Sequence, residues 1–156
     1  TLARYVSKNY NLPMISEAAR MILSEQELQI DTLRYDLDSV DAYQDNVFKR
    51  QLIEENKYTS FTSDRCAVDV LAYTAQHARI LPALMASEEL SSYIRRLQAL
   101  DVFIFFVRPS KATLRADGVR ESLTEMFELR YFQINIDNMQ ERTRFIDAVL
   151  STCPNK

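Results

Sequence analysis

Helical and strand-like segments alternate along this chain, and the alternation predicts an α/β domain. The expected architecture is a three-layer, doubly wound parallel sheet with right-handed helical crossovers. Three observations carry that reading. Val102-Phe103-Ile104-Phe105-Phe106-Val107 is a continuous apolar run of strand length, the pattern of a strand covered on both faces. Thr59-Ser60-Phe61-Thr62-Ser63 is a second strand-like run, and it delivers Asp64-Arg65 directly onto a helical segment. Helical spacing of apolar residues returns between the strand-like runs, which is what parallel strands require of their connections.

In order, Leu2, Val6 and Tyr10 give a first helix over 2–10, uncapped and with no strand before it, which Asn11 ends and Pro13 follows. Leu12 to Ile15 is a short strand. Ser16 caps a helix with Glu17 in its first turn, whereas 27–38 shows no clear period and reads as an acidic surface segment. Val40, Tyr43, Val47, Phe48, Leu52 and Ile53 restore helical spacing from about 39 to 56. After the 59–63 strand a helix runs from Arg65 to about Ala78, Pro82 breaks the chain, and a helix over about 86–99 places Leu90, Tyr93, Ile94 and Leu97 on one face. The buried strand 102–107, a basic loop 108–120, a short helical piece and a strand Tyr131–Asn135 follow. A closing helix begins at Asn138, with Met139, Ile146, Val149 and Leu150 facing inward.

The 156 residues fit one domain, 1–156, and 47% hydrophobic content is enough for a core. A net charge of −3 argues against a nucleic-acid coat, so a nucleic-acid partner is not expected. No apolar run approaches the roughly 18 residues of a membrane span. Cys66 and Cys153 are far apart and read as free thiols of a reducing cytoplasm. One histidine, His77, and two scattered cysteines give no zinc spacing. A homo-oligomer is compatible with all of this. Gly118 is the only glycine, where ordinary usage of about 7% gives roughly eleven. Turns of an α/β chain need positive-φ positions, so the expectation is that the first strand and a glycine-rich loop are missing from this sequence.

Asp64-Arg65 is the strongest chemical signal. Ligands of open α/β sheets bind outside the carboxyl ends of strands. An Asp there can hold Mg²⁺ or orient a nucleophile, and the adjacent guanidinium can reach phosphoryl oxygens. The alternative is an Asp that caps the next helix. Glu17 follows its own strand in the same way and can accept a proton from a hydroxyl, or simply suit a helix N-terminus. Arg108, Lys111, Arg115 and Arg120 put four cations in thirteen residues after the buried strand. They suit a lid over phosphates, about 108–121, or a solvated basic loop. Asp69 stands four residues beyond Arg65, an ion-pair spacing on a helix. Cys66 has no basic helper and is not expected to act as a nucleophile.

Together these residues resemble the P-loop kinase-like ATPases related to the kinase domain of bacterial nicotinamide riboside kinase, with thymidylate and deoxynucleoside kinases as distant relatives. The resemblance rests on Thr1-Leu2-Ala3-Arg4 as the continuation of a GKT/GKS-type loop and on Ile15-Ser16-Glu17-Ala18-Ala19-Arg20. It also rests on Thr62-Ser63-Asp64-Arg65 with Asp69 and Tyr73, on Asp101 with the apolar run, and on Arg115-Ala116-Asp117-Gly118-Val119-Arg120. It spans nearly the whole chain and implies a P-loop fold with ATP and Mg²⁺ as cofactors. It implies that Asp64 lies near Mg²⁺, that Thr1 is either the Mg²⁺-side hydroxyl or the residue after it, that Glu17 faces the phosphate acceptor, and that Arg115 and Arg120 belong to the lid. Asn135 and Asn138 would lie near the adenine. Two departures go with it. The phosphate-binding lysine loop is absent from the sequence, and only ten residues separate Arg120 from Tyr131, which predicts a second missing stretch.

The resulting expectation is a cytoplasmic Mg-ATP-dependent kinase. It transfers the γ-phosphoryl group to a small nucleoside- or nucleotide-like acceptor, chosen by residues within 27–58 and 79–100. Asp64, Arg65, Glu17, Arg115 and Arg120 carry the catalysis, and Thr1, Lys111, Asn135 and Asn138 hold the nucleotide. The alternatives are an ATPase or nucleotide-sensing module without a small acceptor, and a catalytically inactive interaction module.

Overall fold

The computed structural model describes residues 1–15, 36–107 and 117–152. Helix α1 (Leu2–Tyr10) is followed by strand β1 (Met14–Ile15). Beyond it come α2 (Leu37–Asn56), β2 (Thr62–Ser63), α3 (Ala67–His77), α4 (Leu81–Met85) and α5 (Glu88–Leu97). The chain continues through β3 (Phe105–Val107), α6 (Asp117–Met126), β4 (Phe132–Ile134) and α7 (Met139–Leu150). The domain is therefore α/β, as expected, but mostly helical. Its described strands form two parallel pairs, β1 with β2 and β3 with β4, rather than one continuous sheet. With strands of two or three residues, the helices provide most of the packing.

The core lies among α2, α3, α5 and α6. Val40, Tyr43, Val47 and Phe48 recur at three- and four-residue intervals along α2 and meet the buried Leu71 of α3 and Leu90 of α5. The same α2 face also carries buried Gln44, Gln51 and Glu55. Each of these polar groups is satisfied locally. Gln44 accepts from Thr74 at 3.3 Å, and Thr74 also donates back to Val70 O at 2.7 Å. A second cluster of rings, Phe105, Phe132 and Phe145, seals β3 and β4 against α7, with centroids 5.6 to 6.4 Å apart.

Several element ends differ from the sequence expectation for identifiable reasons. Helix α1 is capped after all: the Thr1 hydroxyl accepts from Arg4 N at 3.2 Å. Asn11 ends it in the left-handed region (φ 53), where an asparagine side chain tolerates the geometry. Pro82 does not break the chain but sits in the first turn of α4, where its missing N–H has no helical partner to lose. The run 102–107 is half-buried rather than covered on both faces. Among the described residues β3 has one strand neighbour, β4. Helix α6 starts at Asp117, inside the expected basic loop. It stands in the chain between the parallel strands β3 and β4. Ile146 of α7 is buried, but Met139 is half-exposed because it occupies the first helical position, beyond the packed turn.

Candidate functional site at the carboxyl ends of β1 and β2

Strands β1 and β2 run in parallel, with Met14 opposite Thr62 and Ile15 opposite Ser63. The pairing extends one residue further, because Asp64 N donates to Ile15 O at 3.3 Å. Asp64 is thus fixed at the carboxyl end of the pair, beside the point where the chain leaves β1 toward Glu17. Its side chain is half-buried. Helix α1, whose N-terminus Thr1 caps, packs beside both strands.

Arg65 is exposed and holds a left-handed backbone (φ 77). For a residue with a Cβ this conformation costs on the order of 1–2 kcal/mol. The surrounding turn compensates for it. Ser63 Oγ donates to Arg65 O at 2.6 Å, closing the turn over Asp64. Cys66 then caps α3, and its N–H donates to Asp69 Oδ2 at 2.9 Å. Burial, with the charges of Asp69 and Glu55 adding to it, pushes the Cys66 thiol well up, so it is no nucleophile at neutral pH.

Asp69 was expected to serve as the helical ion-pair partner of Arg65. The structure gives its Oδ2 to the Cys66 amide and its Oδ1 to Arg120 Nε at 2.9 Å. Arg120 therefore stands on α6 and is held one turn into α3, close behind the Asp64-Arg65 turn. Asn135 and Asn138 lie on the other strand pair, after β4. Asn138 caps α7 by accepting from Gln140 N at 2.9 Å and Glu141 N at 3.3 Å, and Asn135 is exposed. Glu17, Lys111 and Arg115 lie outside the described residues, as do Cys153 and most of the 108–121 lid. His77 is exposed and packs against the Tyr73 ring at 4.4 Å.

A buried carboxylate that the motifs of the sequence did not single out lies behind this turn. Glu55 is 3% exposed and accepts from Tyr93 Oη at 2.8 Å and Gln51 Nε2 at 2.9 Å. Burial raises its pKa; the bonds from Gln51 and Tyr93, and the nearby Arg96, oppose that rise. The one available signal was spacing: Gln51 and Glu55 continue the Val40–Val47 stripe of α2, where an apolar residue was due. Arg96 ties the end of α2 to α5 through Glu55 O, Asn56 Oδ1 and Tyr58 O, and its guanidinium lies 5.4 Å from the Phe61 ring centroid. An open groove between α2 and α5 is lined by Lys49, Ile53, Asn56, Ser92, Tyr93 and Arg96, among others.

Mg²⁺ bound with a nucleotide usually takes one or two protein ligands, the remainder being phosphate oxygens and water. Among the described residues no group of three or more His, Cys, Asp or Glu side chains could cage a metal. A single carboxylate at a strand end, with a hydroxyl at the N-terminus of an adjacent helix, fits the nucleotide-dependent mode. No helix of the described residues is long and apolar enough to cross a membrane.

Strand β2 runs parallel to β1 and leads through Asp64 onto the N-terminus of α3, an arrangement shared with α/β nucleotide-binding domains. A family model described as an AAA domain matches residues 1–146, and the chain belongs to that family, a P-loop NTPase-type domain with ATPase-like nucleotide binding. No curated protein and no solved structure matches the chain.

Proposed function

We propose that the domain is the catalytic part of a cytoplasmic Mg-ATP-dependent kinase for a small nucleoside- or nucleotide-like acceptor. The observation that carries this reading is the placement of Asp64-Arg65 at the joined carboxyl ends of β1 and β2, directly before α3. In this reading Asp64 and the Thr1 hydroxyl hold the metal. Mg²⁺ held there would supply positive charge that offsets the charge of the nucleotide phosphates. Arg65 and Arg120 offer guanidinium groups to the transferring phosphoryl, with Arg115 and Lys111 closing from the lid. Glu17, two residues beyond Ile15 in the sequence, accepts the proton of the acceptor hydroxyl. Asn135 and Asn138 border the base. The groove between α2 and α5 falls within the two segments expected to choose the acceptor, and Tyr93 links it to the start of α3.

The second reading is an ATPase module without a small acceptor, and membership of the AAA domain family favours it. ADP release by the full-length protein separates the two. Turnover that rises with one compound of a panel of nucleosides, nucleotides and nicotinamide riboside supports the kinase. Turnover indifferent to every acceptor supports the ATPase.

A further inference from the structure

We propose that Glu55 and Tyr93 are positioning residues that clamp the Asp64-Arg65 turn at both of its ends. The inference rests on the reading of that turn as part of the reaction site. A continuous chain of hydrogen bonds encircles it. On one side Gln51 Nε2 donates to Glu55 Oε2 at 2.9 Å and reaches Ser63 Oγ at 3.4 Å, and Ser63 Oγ donates to Arg65 O at 2.6 Å. On the other side Tyr93 Oη donates to Glu55 Oε2 at 2.8 Å and accepts from Ala67 N at 3.2 Å.

Ala67 is the first residue of α3, and its amide is one of the donors that a helix N-terminus leaves without an intrahelical partner. Cys66 supplies its amide to Asp69, so the turn between β2 and α3 has each end tied to a neighbour. A carboxylate 3% exposed is costly to keep, and an apolar residue would fill this α2 position without that cost. What the carboxylate adds is a single oxygen on which donors from α2 and α5 converge. That fixes Ser63 and Ala67 relative to each other, and the three residues between them include Arg65 in its left-handed conformation. The clamp thus holds the backbone of a strained turn from which Asp64 and Arg65 project.

The test is steady-state turnover of the full-length protein, with amide hydrogen exchange read across residues 62–77. Tyr93→Phe should raise exchange at Ala67 by about tenfold or more relative to the interior amides of α3. It should lower kcat by on the order of ten- to a hundredfold, with KM for ATP within a factor of about two. Glu55→Gln keeps an acceptor oxygen for both donors and should retain most of the protection and turnover, whereas Glu55→Ala should lose both. Ser63→Ala removes the two outer bonds of the ring, from Gln51 Nε2 and to Arg65 O, without touching the core and should lower kcat in a protein of unchanged thermal stability. Wild-type kcat and local exchange in Tyr93→Phe would overturn the clamp. So would exchange that rises equally across every helix in each variant. Wild-type protein that turns over no nucleotide refutes the proposed reaction instead, and the exchange pattern then decides the clamp alone.

Discussion

Asp147 ties α7 to the N-terminal helix, and replacing it with alanine has a calculable cost. One carboxylate oxygen accepts from Tyr5 Oη and the other from Tyr10 Oη, each at 2.7 Å, across more than 130 residues of sequence. Hydrogen bonds to a charged group contribute about 1.5–3 kcal/mol, and these half-buried ones belong at the low end. Asp147→Ala should therefore destabilise the protein by roughly 2–3 kcal/mol, and Tyr5→Phe and Tyr10→Phe by roughly 1–1.5 kcal/mol each. The decisive comparison is a cycle. In a Tyr5→Phe/Tyr10→Phe background, Asp147→Ala has no hydroxyl left to abandon and should cost less than about 0.5 kcal/mol. Urea unfolding of the full-length protein, followed by circular dichroism, measures each step as a shift in midpoint at constant slope. An undiminished cost of Asp147→Ala in the double-Phe background would refute the reasoning.

Other outcomes follow from the same structure. Leu71 of α3 is fully buried in the core, so Leu71→Ala should cost about 3–4 kcal/mol, while Leu100→Ala at an 82% exposed site should stay within about 0.5 kcal/mol in the same unfolding assay. The bond to Asp147, assisted by burial, raises the Tyr10 phenol to about 12. Its contribution to stability is complete below the ordinary 10.0 and is lost as pH rises through the raised value, so the phenolate absorbance of Tyr10, taken as wild type minus Tyr10→Phe, should appear near pH 12. The native-state pKa of Glu55 is raised by burial, so the native protein binds that proton more tightly than the unfolded chain. Stability should fall as pH climbs from the ordinary 4.5 through the raised value, and Glu55→Gln should flatten that part of the profile. Asn138→Ala removes the α7 cap and should cost about 1 kcal/mol; if Asn138 also borders the base, the nucleotide Kd weakens beyond the stability loss.

Local patterns were legible where one residue type has one physical use. Asn11 after Tyr10 marked a helix end, and Asn138 marked the start of α7, which it caps. The strand ending at Asp64 was visible because an apolar and hydroxyl-rich run stops at a charged pair. What the sequence could not reveal depends on contacts distant along the chain. The pairing of Asp69 with Arg120 joins α3 to α6, and nothing in the four-residue spacing from Arg65 foretold it. The left-handed Arg65 and the Glu55–Tyr93 ring arise from three elements meeting at one turn. The half-burial of 102–107 reflects how few strands surround it, a property of the assembled fold rather than of the apolar run itself.

The most direct test of the central claim is ADP release by the full-length protein with and without Mg²⁺, compared with Asp64→Asn of matching circular dichroism. The account predicts Mg²⁺-dependent turnover in the native protein and a loss of about a hundredfold or more in Asp64→Asn. Native-level turnover in Asp64→Asn, or turnover indifferent to Mg²⁺, would contradict the placement of the reaction at the carboxyl ends of β1 and β2.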